Sequence, residues 1–458
     1  MRPYQAAVIA DTRAAYLTGA RAPLLVLPCG AGKTVIFSAI AHAAAARGRR
    51  ILVLAHRREL IRQASAKLSA AGVRHGVIAP GHPSTEDLVQ VASVQTLAAR
   101  LGDPRYPAPD LIIIDEAHHA VAGQWARIIR AYPQANLLGV TATPERLDGK
   151  GLGVGSGGPF DAIVLGPSTA ELVEGGYLVP TRTFAPSDSP DLSRIGTRAG
   201  DFDVTGLAAV MGDRTLVGDA VAHYGRLAPG LAAVVFCVSV QHASDVAETF
   251  RGAGWRAVAI SGDTPAVERD AALGGLASGA VQVLCTCDLI SEGLDVPAIG
   301  AAILLRPTKS LSLHVQQVGR GMRPAAGKRH LIVLDHAGNS RRHGLPDDPH
   351  EWRLEGRPKR AGAAPIRTCP ECGHLHGLAA AVCPACGHAY EIQRPTLRTV
   401  SGELREIGMR TRRLERLRTL PLRRLLNEAQ TEADLREIAV ARGYRRGWVR
   451  HVLREWRA

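Results

Sequence analysis

The chain contains two series of short apolar runs, and a stretch with helical patterning follows most of them. The first series is PLLVLP (23–28), RILVLA (50–55), LVQVAS (88–93), LIIID (111–115) and NLLGVT (136–141). The second series is AAVVFCV (232–238), RAVAIS (256–261), VQVLCT (281–286), AAILLR (301–306) and HLIVLD (330–335). Continuous apolar strands that alternate with helices are typical of parallel sheets covered on both faces. The two series therefore predict two parallel-sheet α/β domains in tandem.

The strand pattern stops after His343, and three segments of different composition follow. The first is rich in Pro, Gly and charge, as linkers often are, the second contains clustered cysteines, and the third is a basic helical tail. A Gly-rich, less regular stretch connects the two α/β domains at about 151–216. The predicted boundaries are 1–210 and 211–345 for the α/β domains, 346–366 for the linker, 367–392 for the cysteine segment and 393–458 for the tail.

The first apolar run leads into a tight turn and then an apolar helix, in the order LLVLPCGAGKTVIFSAIA. Glycines in the turn let backbone N–H groups approach phosphates without an intervening Cβ. Lys33 can neutralise the β and γ phosphates, and the Thr34 hydroxyl can hold Mg²⁺. A chance glycine-rich turn is the alternative, which the strand–loop–helix setting disfavours. We predict that the nucleotide phosphates contact Gly30, Ala31, Gly32, Lys33 and Thr34.

The run LIIID ends in two adjacent carboxylates, Asp115 and Glu116, and His118 follows. Two carboxylates at a buried strand end are costly unless a cation lies between them and the phosphates. Asp115 is therefore the candidate magnesium holder, and Glu116 is the candidate base that orients and deprotonates the attacking water. His118 is the candidate sensor of the γ-phosphate. Taken alone, the acids could simply mark a helix N-terminus, whose dipole favours them.

The second series contains Gln316, Arg320 and Arg323 in the spacing Q-x-x-G-R-x-x-R. A helix through this segment would place the three residues on one face. Two guanidiniums that reach across a cleft can stabilise the charge on a transferring phosphoryl group, an effect worth about 10³–10⁵ in rate. The alternative is a solvated basic helix face.

With these motifs in this order, the chain resembles a superfamily 2 helicase with a DEAH box, in the branch of XPB-like repair helicases and type III restriction subunits. The resemblance extends over residues 2–335. The segments that carry it, besides the phosphate loop and the acidic strand end, are RPYQ (2–5), LAHRREL (54–60), SVQTL (93–97), TATPERLDGKGL (141–152), VVFCVSVQHA (234–243), CTCDLISEGLDVP (285–297) and QQVGRGMRP (316–324).

The resemblance implies two RecA-like domains that close on ATP and open after hydrolysis, moving a nucleic-acid strand that lies across both. It implies adenine contact by Gln5 and ribose-side contacts by Gly293 and Asp295. Plain surface polarity is the alternative for the residues predicted to contact strand phosphates. These residues are Arg57, Arg58, Thr96 and Thr286.

The net charge is +14 and the isoelectric point is near 9.8, which favours a polyanionic partner. Residues 391–458 contain 17 Arg and no Lys against 9 acidic residues. In this tail one helix is predicted to end at Gly443 and another to begin near Trp448. Arg445 and Arg446 are candidates for phosphate contact, with Tyr444 and Trp448 placed to stack on bases. A helical pair with a solvated basic face is the alternative.

The segment CPECGHLHGLAAAVCPACGH holds two C-x-x-C pairs, Cys369 with Cys372 and Cys383 with Cys386. Four thiolates at this spacing suit a tetrahedral, structural Zn²⁺ site of the ribbon type. A redox pair or disulfides would be the alternative. Such a ribbon could position nucleic acid, dock a protein partner or fold the tail.

The sequence predicts an ATP-hydrolysing nucleic-acid helicase or translocase that uses ATP, Mg²⁺ and Zn²⁺ and acts on DNA rather than RNA. One alternative is a restriction or remodelling motor that moves along duplex DNA without separating strands. Another is a nucleic-acid-binding module with a degenerate ATPase. No apolar run approaches the roughly 20 residues of a membrane span, and the N-terminus has no signal-peptide pattern. A cytosolic location is therefore expected.

Overall fold

The computed structural model describes residues 1–146, 149–185, 192, 195–198, 200–211, 214–287, 296–345, 348, 350–356, 366–368, 371, 375–377, 381–382, 387–390, 405–407, 409–429, 431–444 and 447–456. Within this part of the chain no helix combines the length and apolar character that a bilayer span requires.

The first domain is a seven-stranded sheet with helices on both faces. Its elements are α1 (Pro3–Leu17), β1 (Pro23–Val26), α2 (Lys33–Ala45), β2 (Ile51–Ala55), α3 (Arg58–Ala70), β3 (His75–Ile78), β4 (Val89–Ser93), α4 (Val94–Ala99), β5 (Leu111–Asp115), α5 (Gly123–Ala131), β6 (Asn136–Thr141), β7 (Ala162–Leu165) and α6 (Thr169–Glu174). The strand order is β3-β4-β2-β5-β6-β1-β7, and every pairing is parallel. β1, β2 and β5 are buried throughout, because helices cover both faces of the sheet.

The second domain repeats this architecture around another seven-stranded sheet. Its elements are β8 (Thr181–Ala185), β9 (Thr197–Arg198), β10 (Asp201–Phe202), α7 (Val204–Met211), α8 (Arg214–Leu227), β11 (Ala233–Phe236), α9 (Val240–Gly252), β12 (Ala257–Ile260), α10 (Ala266–Ser278), β13 (Val283–Thr286), β14 (Ala301–Leu304), α11 (Leu311–Gly319), β15 (Leu331–Asp335) and α12 (Asn339–His343). The tandem of parallel sheets predicted from the two series of apolar runs is confirmed.

Two strands from outside the second series complete this second sheet, namely β8 and β18 (Arg405–Ile407). The strand order is β12-β13-β11-β14-β15-β8-β18. β8 pairs in parallel with β15, although it lies before the boundary expected at residue 210. β18 pairs antiparallel with β8 at the edge, after a short antiparallel pair, β16 (Ile366–Thr368) and β17 (Leu375–Gly377). The second domain therefore begins earlier than predicted and recruits a strand from the C-terminal region.

Residues 350–356, called the strap here, return from the second domain to the first. Gly151 N donates to Glu355 O at 3.2 Å, and Gly153 N donates to Leu354 O at 2.8 Å. A Cβ on Gly151 would lie 1.8 Å from Leu354 O, so a larger residue cannot occupy this position. Trp352 and Leu354 also pack against the apolar core of the first domain. Part of the predicted linker is thus a docked segment, and the Gly-rich stretch provides its docking site.

The tail forms a small helical bundle, α13 (Met409–Thr419), α14 (Leu422–Glu428), α15 (Glu432–Arg442) and α16 (Trp448–Trp456). Its core contains Leu425, Leu435, Ile438, Val449 and Val452. α15 begins with a Thr431–Asp434 capping box, and Gly443, whose φ is 67°, caps its C-terminal end. The bundle follows β18 after a single intervening residue, so it is attached to the edge of the second sheet.

The bundle uses several of its arginines internally. Arg413 pairs with Glu437 at 2.6 Å, Arg416 pairs with Glu428 at 2.5 Å, and Arg442 donates to Leu417 O at 2.7 Å. The Tyr444 and Trp448 rings lie 4.7 Å apart and pack against the bundle core, and their stacking on bases stays a prediction. A basic composition therefore overstates the cationic surface that this bundle exposes.

Candidate active site between the two domains

The phosphate loop connects β1 to α2 and depends on two glycines with positive φ. Gly30 has φ 83° and Gly32 has φ 80°, in the left-handed region that favours glycine. α2 begins at Lys33, followed by Thr34, so the helix N-terminus and the Lys33 ammonium belong to the same loop. Lys33 Nζ donates to Leu27 O at 3.2 Å and to Pro28 O at 3.4 Å. The loop has the backbone and the charge that an anionic phosphate chain needs.

Gln5 is buried directly against this loop. Its Nε2 donates to Ala31 O at 3.2 Å, and its Oε1 accepts a hydrogen bond from Arg2 N at 2.9 Å. The Tyr4 hydroxyl donates to the same Ala31 carbonyl at 2.7 Å, and the Tyr4 ring lies 5.0 Å from the Tyr177 ring. The structure thus places the predicted adenine-contacting residue beside the phosphate loop. The positions of Tyr4 and Tyr177 beside the loop were not predictable from the sequence, because aromatic residues carry no specific signal without their neighbours.

The two carboxylates lie at the carboxyl end of β5, next to Lys33. Burial and the adjacent Glu116 charge raise the pKa of Asp115 to about 7, whereas the positive charges of Lys33 and Arg320 oppose this rise. Glu116 has φ 51° and ψ 56°, a left-handed conformation that costs a non-glycine residue roughly 1–3 kcal/mol. Its N–H donates to Asp115 Oδ1 at 3.0 Å.

Glu116 Oε2 is buried and accepts no hydrogen bond from the residues that the structure describes. A divalent cation fits this pair of carboxylates, because Mg²⁺ prefers oxygen ligands and its charge would offset the unfavourable burial of Asp115. The Thr34 hydroxyl on the phosphate loop is the other oxygen predicted to hold this cation.

His118 links the carboxylates to the segment predicted to contact the strand. His118 Nδ1 lies 3.6 Å from Glu116 Oε2. The rings of His118 and His119 are 4.2 Å apart, and those of His119 and His56 are 4.5 Å apart. His56 directly precedes Arg57 in the chain. A continuous series of packed rings, His118, His119 and His56, therefore connects Glu116 to the start of α3.

The predicted arginine pair of the second domain lies against the phosphate loop of the first. A Cβ on Gly319 would lie 2.5 Å from Cys29 Cβ, and a Cβ on Gly30 would lie 3.2 Å from Arg323 Cγ. Arg320 is buried, and its charge acts on the pKa of Asp115. The structure thus brings together the basic and acidic groups that the sequence places about 200 residues apart.

The expectation that Gln316, Arg320 and Arg323 share one α-helical face is wrong in detail. α11 ends at Gly319, residues 320–322 form a 3₁₀ turn, and Arg323 is extended with ψ 136°. The residue before a proline disfavours the helical region, and Pro324 follows Arg323. We call residues 320–323 the arginine turn. Arg323 therefore approaches the phosphate loop from a turn, and Arg320 belongs to the same turn, while Gln316 lies buried on the preceding helix.

Three further contacts hold the domains in this closed arrangement. Thr143 Oγ1 and Ser312 Oγ are 2.5 Å apart, which joins the segment after β6 to the first turn of α11. On another side, α3 and α10 exchange ion pairs of opposite polarity. Arg62 donates to Asp270 at 3.0 Å, and Arg269 lies 2.7 Å from Glu59.

The remaining predicted residues differ in accessibility. Arg58 is exposed, whereas Arg57 and Thr96 are half-buried. Thr286 is only 1% exposed at the end of β13, so this domain arrangement does not offer it to a strand. Several predicted site residues lie outside the part of the chain that the structure describes, namely Gly293, Asp295, Cys369, Cys372, Cys383, Cys386, Arg445 and Arg446.

Two family models match the chain in the order of its domains. Residues 1–146 match the model described as type III restriction enzyme, res subunit, and residues 219–325 match the helicase conserved C-terminal domain. The ends of both matches fall close to elements of the structure. The first match ends shortly after β6, and the second ends just after the arginine turn.

Curated relatives extend the similarity across both domains. A 51.5 kDa protein of Lactococcus phage (isolate 7-9) is 35% identical over 357 residues, which cover 77% of this chain and 75% of that protein. The putative ATP-dependent helicase IRC3 of Saccharomyces cerevisiae (strain ATCC 204508 / S288c) is 31% identical over 334 residues, which cover 69% of this chain and 48% of the yeast protein. The chain thus spans about half the length of the yeast relative.

Solved structures share the fold. A fragment of a putative HsdR subunit of a type I restriction enzyme from Vibrio vulnificus YJ016 has a TM-score of 0.58 at 22% identity, covering 78% of this chain and 67% of that one. The Type ISP restriction-modification enzyme LlaBIII bound to DNA has a TM-score of 0.52 at 17% identity, covering 73% and 27%. From the family models, the relatives and the site geometry together, the chain belongs to the superfamily 2 helicases and is related to the type III restriction subunits and to the putative helicase IRC3.

Proposed function

We propose that the chain is a DNA-stimulated ATPase that converts closure of its two domains on ATP into movement along DNA. The observation that carries the proposal is the seating of the arginine turn on the phosphate loop, with Arg320 near Asp115. ATP bound between these surfaces would meet acidic groups from one domain and guanidiniums from the other. Hydrolysis removes the γ-phosphate that both domains contact, and the closed arrangement is then less favourable.

Each chemical role falls to a residue beside the loop. Lys33 binds the β and γ phosphates, and Thr34 and Asp115 hold Mg²⁺, which neutralises phosphate charge when it is bound. Glu116 orients the attacking water and accepts its proton. His118 Nδ1 lies 3.6 Å from Glu116 Oε2 and would respond to protonation of this carboxylate. Gln316 carries a buried Nε2 that donates to no described residue and is a donor for the γ-phosphate side. Arg320 and Arg323 stabilise the charge that develops on the transferred group.

DNA is the proposed partner, and the distribution of charge supports it. The chain carries +14, and α16 exposes Arg450 and Arg454 one helical turn apart, where a polyanion would relieve their repulsion. Arg57 and Arg58 at the start of α3, with Thr96 at α4, are the proposed phosphate contacts on the first domain. Arg445 and Arg446 are proposed contacts on the bundle. LlaBIII, which shares the fold, has been solved on DNA.

The zinc site also remains a proposal. The two C-x-x-C pairs support a Cys₄ ribbon formed by Cys369, Cys372, Cys383 and Cys386. We propose that the ribbon positions nucleic acid, with docking of a protein partner as its second possible role. A reducing, cytosolic location suits both the thiolates of the proposed ribbon and the buried thiols of Cys29, Cys237, Cys285 and Cys287.

A panel of nucleic acids tests the proposal most directly. The rate of ATP hydrolysis should rise strongly when DNA is added. Comparing this rate with single-stranded, duplex and forked DNA and RNA of equal length shows which class of nucleic acid stimulates the protein. Lys33→Ala is the matched control, because it keeps the rest of the site but lacks the phosphate-binding ammonium. Hydrolysis that no nucleic acid stimulates would contradict the proposal and favour a binding module with a degenerate ATPase.

The similarity to restriction subunits supports a second candidate, a motor that moves along duplex DNA without separating strands. Displacement of a third strand from a triplex reports movement on duplex DNA, whereas displacement of a paired strand from a fork reports unwinding. Triplex displacement without fork unwinding would select the duplex motor.

A further inference from the structure

Lys328 is a charged residue that the motifs do not include, yet it contacts the arginine turn. Its Nζ donates to Gly321 O at 2.5 Å, to Arg323 O at 2.9 Å and to Pro297 O at 3.1 Å. An ammonium group has three N–H donors and no acceptor, so three carbonyls satisfy it completely. Hydrogen bonds from a charged donor are also stronger than neutral ones.

Local chain geometry explains how Lys328 reaches these carbonyls. A tight turn follows the arginine turn, in which Lys328 N donates to Ala325 O at 3.1 Å. Gly327 in this turn has φ 74°, a left-handed conformation that glycine allows. The turn folds the chain back on itself, and the lysine side chain therefore returns to the carbonyls of Gly321 and Arg323.

The contacts of Lys328 lie on the backbone of the arginine turn, whereas the arginine side chains face the other domain. Between the two bonded carbonyls, Met322 O accepts a hydrogen bond from Val179 N at 2.8 Å. Three successive carbonyls of the turn are therefore fixed. The third carbonyl bound by Lys328 belongs to Pro297, the last residue of the segment CTCDLISEGLDVP. The ammonium thus ties that segment to the arginine turn.

Keeping a positive charge here is unfavourable in itself. Burial and the nearby Arg323 charge lower the pKa of Lys328 to about 8. An apolar residue would avoid this cost but would leave carbonyls without donors. The Lys328 ammonium nevertheless remains here, where it binds the backbone of the arginine turn close to the Arg323 guanidinium.

We propose that Lys328 is a positioning residue for ATP hydrolysis, which holds the arginine turn against the segment ending at Pro297 so that Arg323 reaches the phosphate loop. The inference rests on the proposed role of Arg323 in hydrolysis. Lys328 itself touches neither the nucleotide site nor the carboxylates in the contacts described above.

Steady-state hydrolysis with saturating DNA tests the inference with four variants of the full chain. Lys328→Met should lower kcat by about 10- to 100-fold, since a displacement of about 1 Å can cost about 10² in rate. Its KM for ATP should change less than about twofold, because the phosphate loop is intact. Lys328→Arg should recover much of the rate, since a guanidinium also donates to carbonyls. Lys328→Gln keeps hydrogen-bond donors without the charge, and it replaces Lys328→Met in the comparison if that variant folds poorly. Arg329→Met, at the exposed neighbouring cation, is the control and should match the parent chain.

A double-variant cycle distinguishes positioning from general damage. Arg323→Ala combined with Lys328→Met should be no more than about twofold slower than Arg323→Ala alone, because the lysine acts through that arginine. Multiplicative losses, or a parent-like kcat in Lys328→Met and Lys328→Gln, would overturn the inference. If Arg323→Ala itself keeps the parent rate, the proposed role of Arg323 fails instead, and the two failures are thereby distinguished.

Discussion

At the scale of single residues, the acidic end of β5 shows how burial indicates chemistry. Asp115 and Glu116 are both buried, and Glu116 has a left-handed backbone conformation. A pair of this kind persists only where the surrounding structure and a bound cation offset its cost. The identity of these residues was predictable from sequence, because a strand that ends in two acids contradicts the ordinary pattern of a buried strand.

Glu116→Gln should abolish ATP turnover while leaving ATP binding nearly unchanged. The amide keeps the size of the side chain but cannot accept the proton of the attacking water, so a loss of about 10²–10⁴ in rate is expected. Phosphate release measures turnover, and a fluorescent nucleotide measures binding. Glu86→Gln, at an exposed site of the same domain, is the control. Turnover at the parent rate would show that Glu116 is not the base.

Gly319→Ala should slow hydrolysis by separating the arginine turn from the phosphate loop. The added Cβ would meet Cys29 Cβ at 2.5 Å, so one of the two backbones must move. Overpacking of this kind costs about 1–3 kcal/mol. The matched control is Gly262→Ala, where the new Cβ meets nothing within 4 Å. Equal ATPase rates for the two alanine variants would contradict the close approach of the domains.

At the scale of secondary-structure elements, α3 and α10 meet through two ion pairs of opposite polarity. Arg62 and Asp270 are largely exposed, so their pair contributes only about 0.2–1 kcal/mol. Its position matters more than its strength, because α3 begins at Arg58 among the proposed strand contacts. The pair therefore biases domain closure at the end of the cleft where DNA is proposed to bind.

Reversing the charge in Arg62→Glu should open the domains and raise the KM for ATP by a few fold, and Asp270→Arg should act in the same direction. The double reversal restores an attractive pair and should return the KM toward the parent value. The effect should shrink as salt rises, because exposed charges are screened. Distances between fluorophores on the two domains provide the measurement. A double variant worse than either single one would exclude a direct interaction.

The elements themselves were largely predictable, but their contacts were not. Each apolar run became a strand of one of the two sheets, and most of these strands are buried, since strands covered on both faces need no alternation of polar residues. The pairing of β8 with β15 could not be predicted, because about 145 residues separate them and no local pattern records a pairing at that separation. Lys328 was missed for the same reason, since its acceptors are backbone carbonyls that leave no trace in the sequence.

At the scale of the whole molecule, the C-terminal region is attached to both α/β domains. The strap docks on the first domain, whereas β18 and the bundle that follows it join the second. The sequence predicted separate segments here, because composition shows where a domain pattern stops but not where the chain returns. The glycines at 151 and 153 gave the available signal, since they allow another backbone to approach closely.

Replacing Cys369 and Cys383 by Ser should release one zinc ion per chain while leaving the ATPase domains folded. Each replacement removes a thiolate from a four-ligand site, and such sites rarely survive the loss. Metal analysis of the purified parent and variant chains gives the direct comparison, and Cys237→Ser, at a buried cysteine of the second domain, is the control for thiol loss. A parent chain that carries no zinc would rule out the ribbon.

The strap has one more consequence. It leaves the first domain at Gly356, and the chain rejoins the second domain at Arg405. The two ends of the segment that contains the clustered cysteines are therefore attached to different domains. A change in the separation of the two domains would therefore change the distance between Gly356 and Arg405, the two attached ends of this segment.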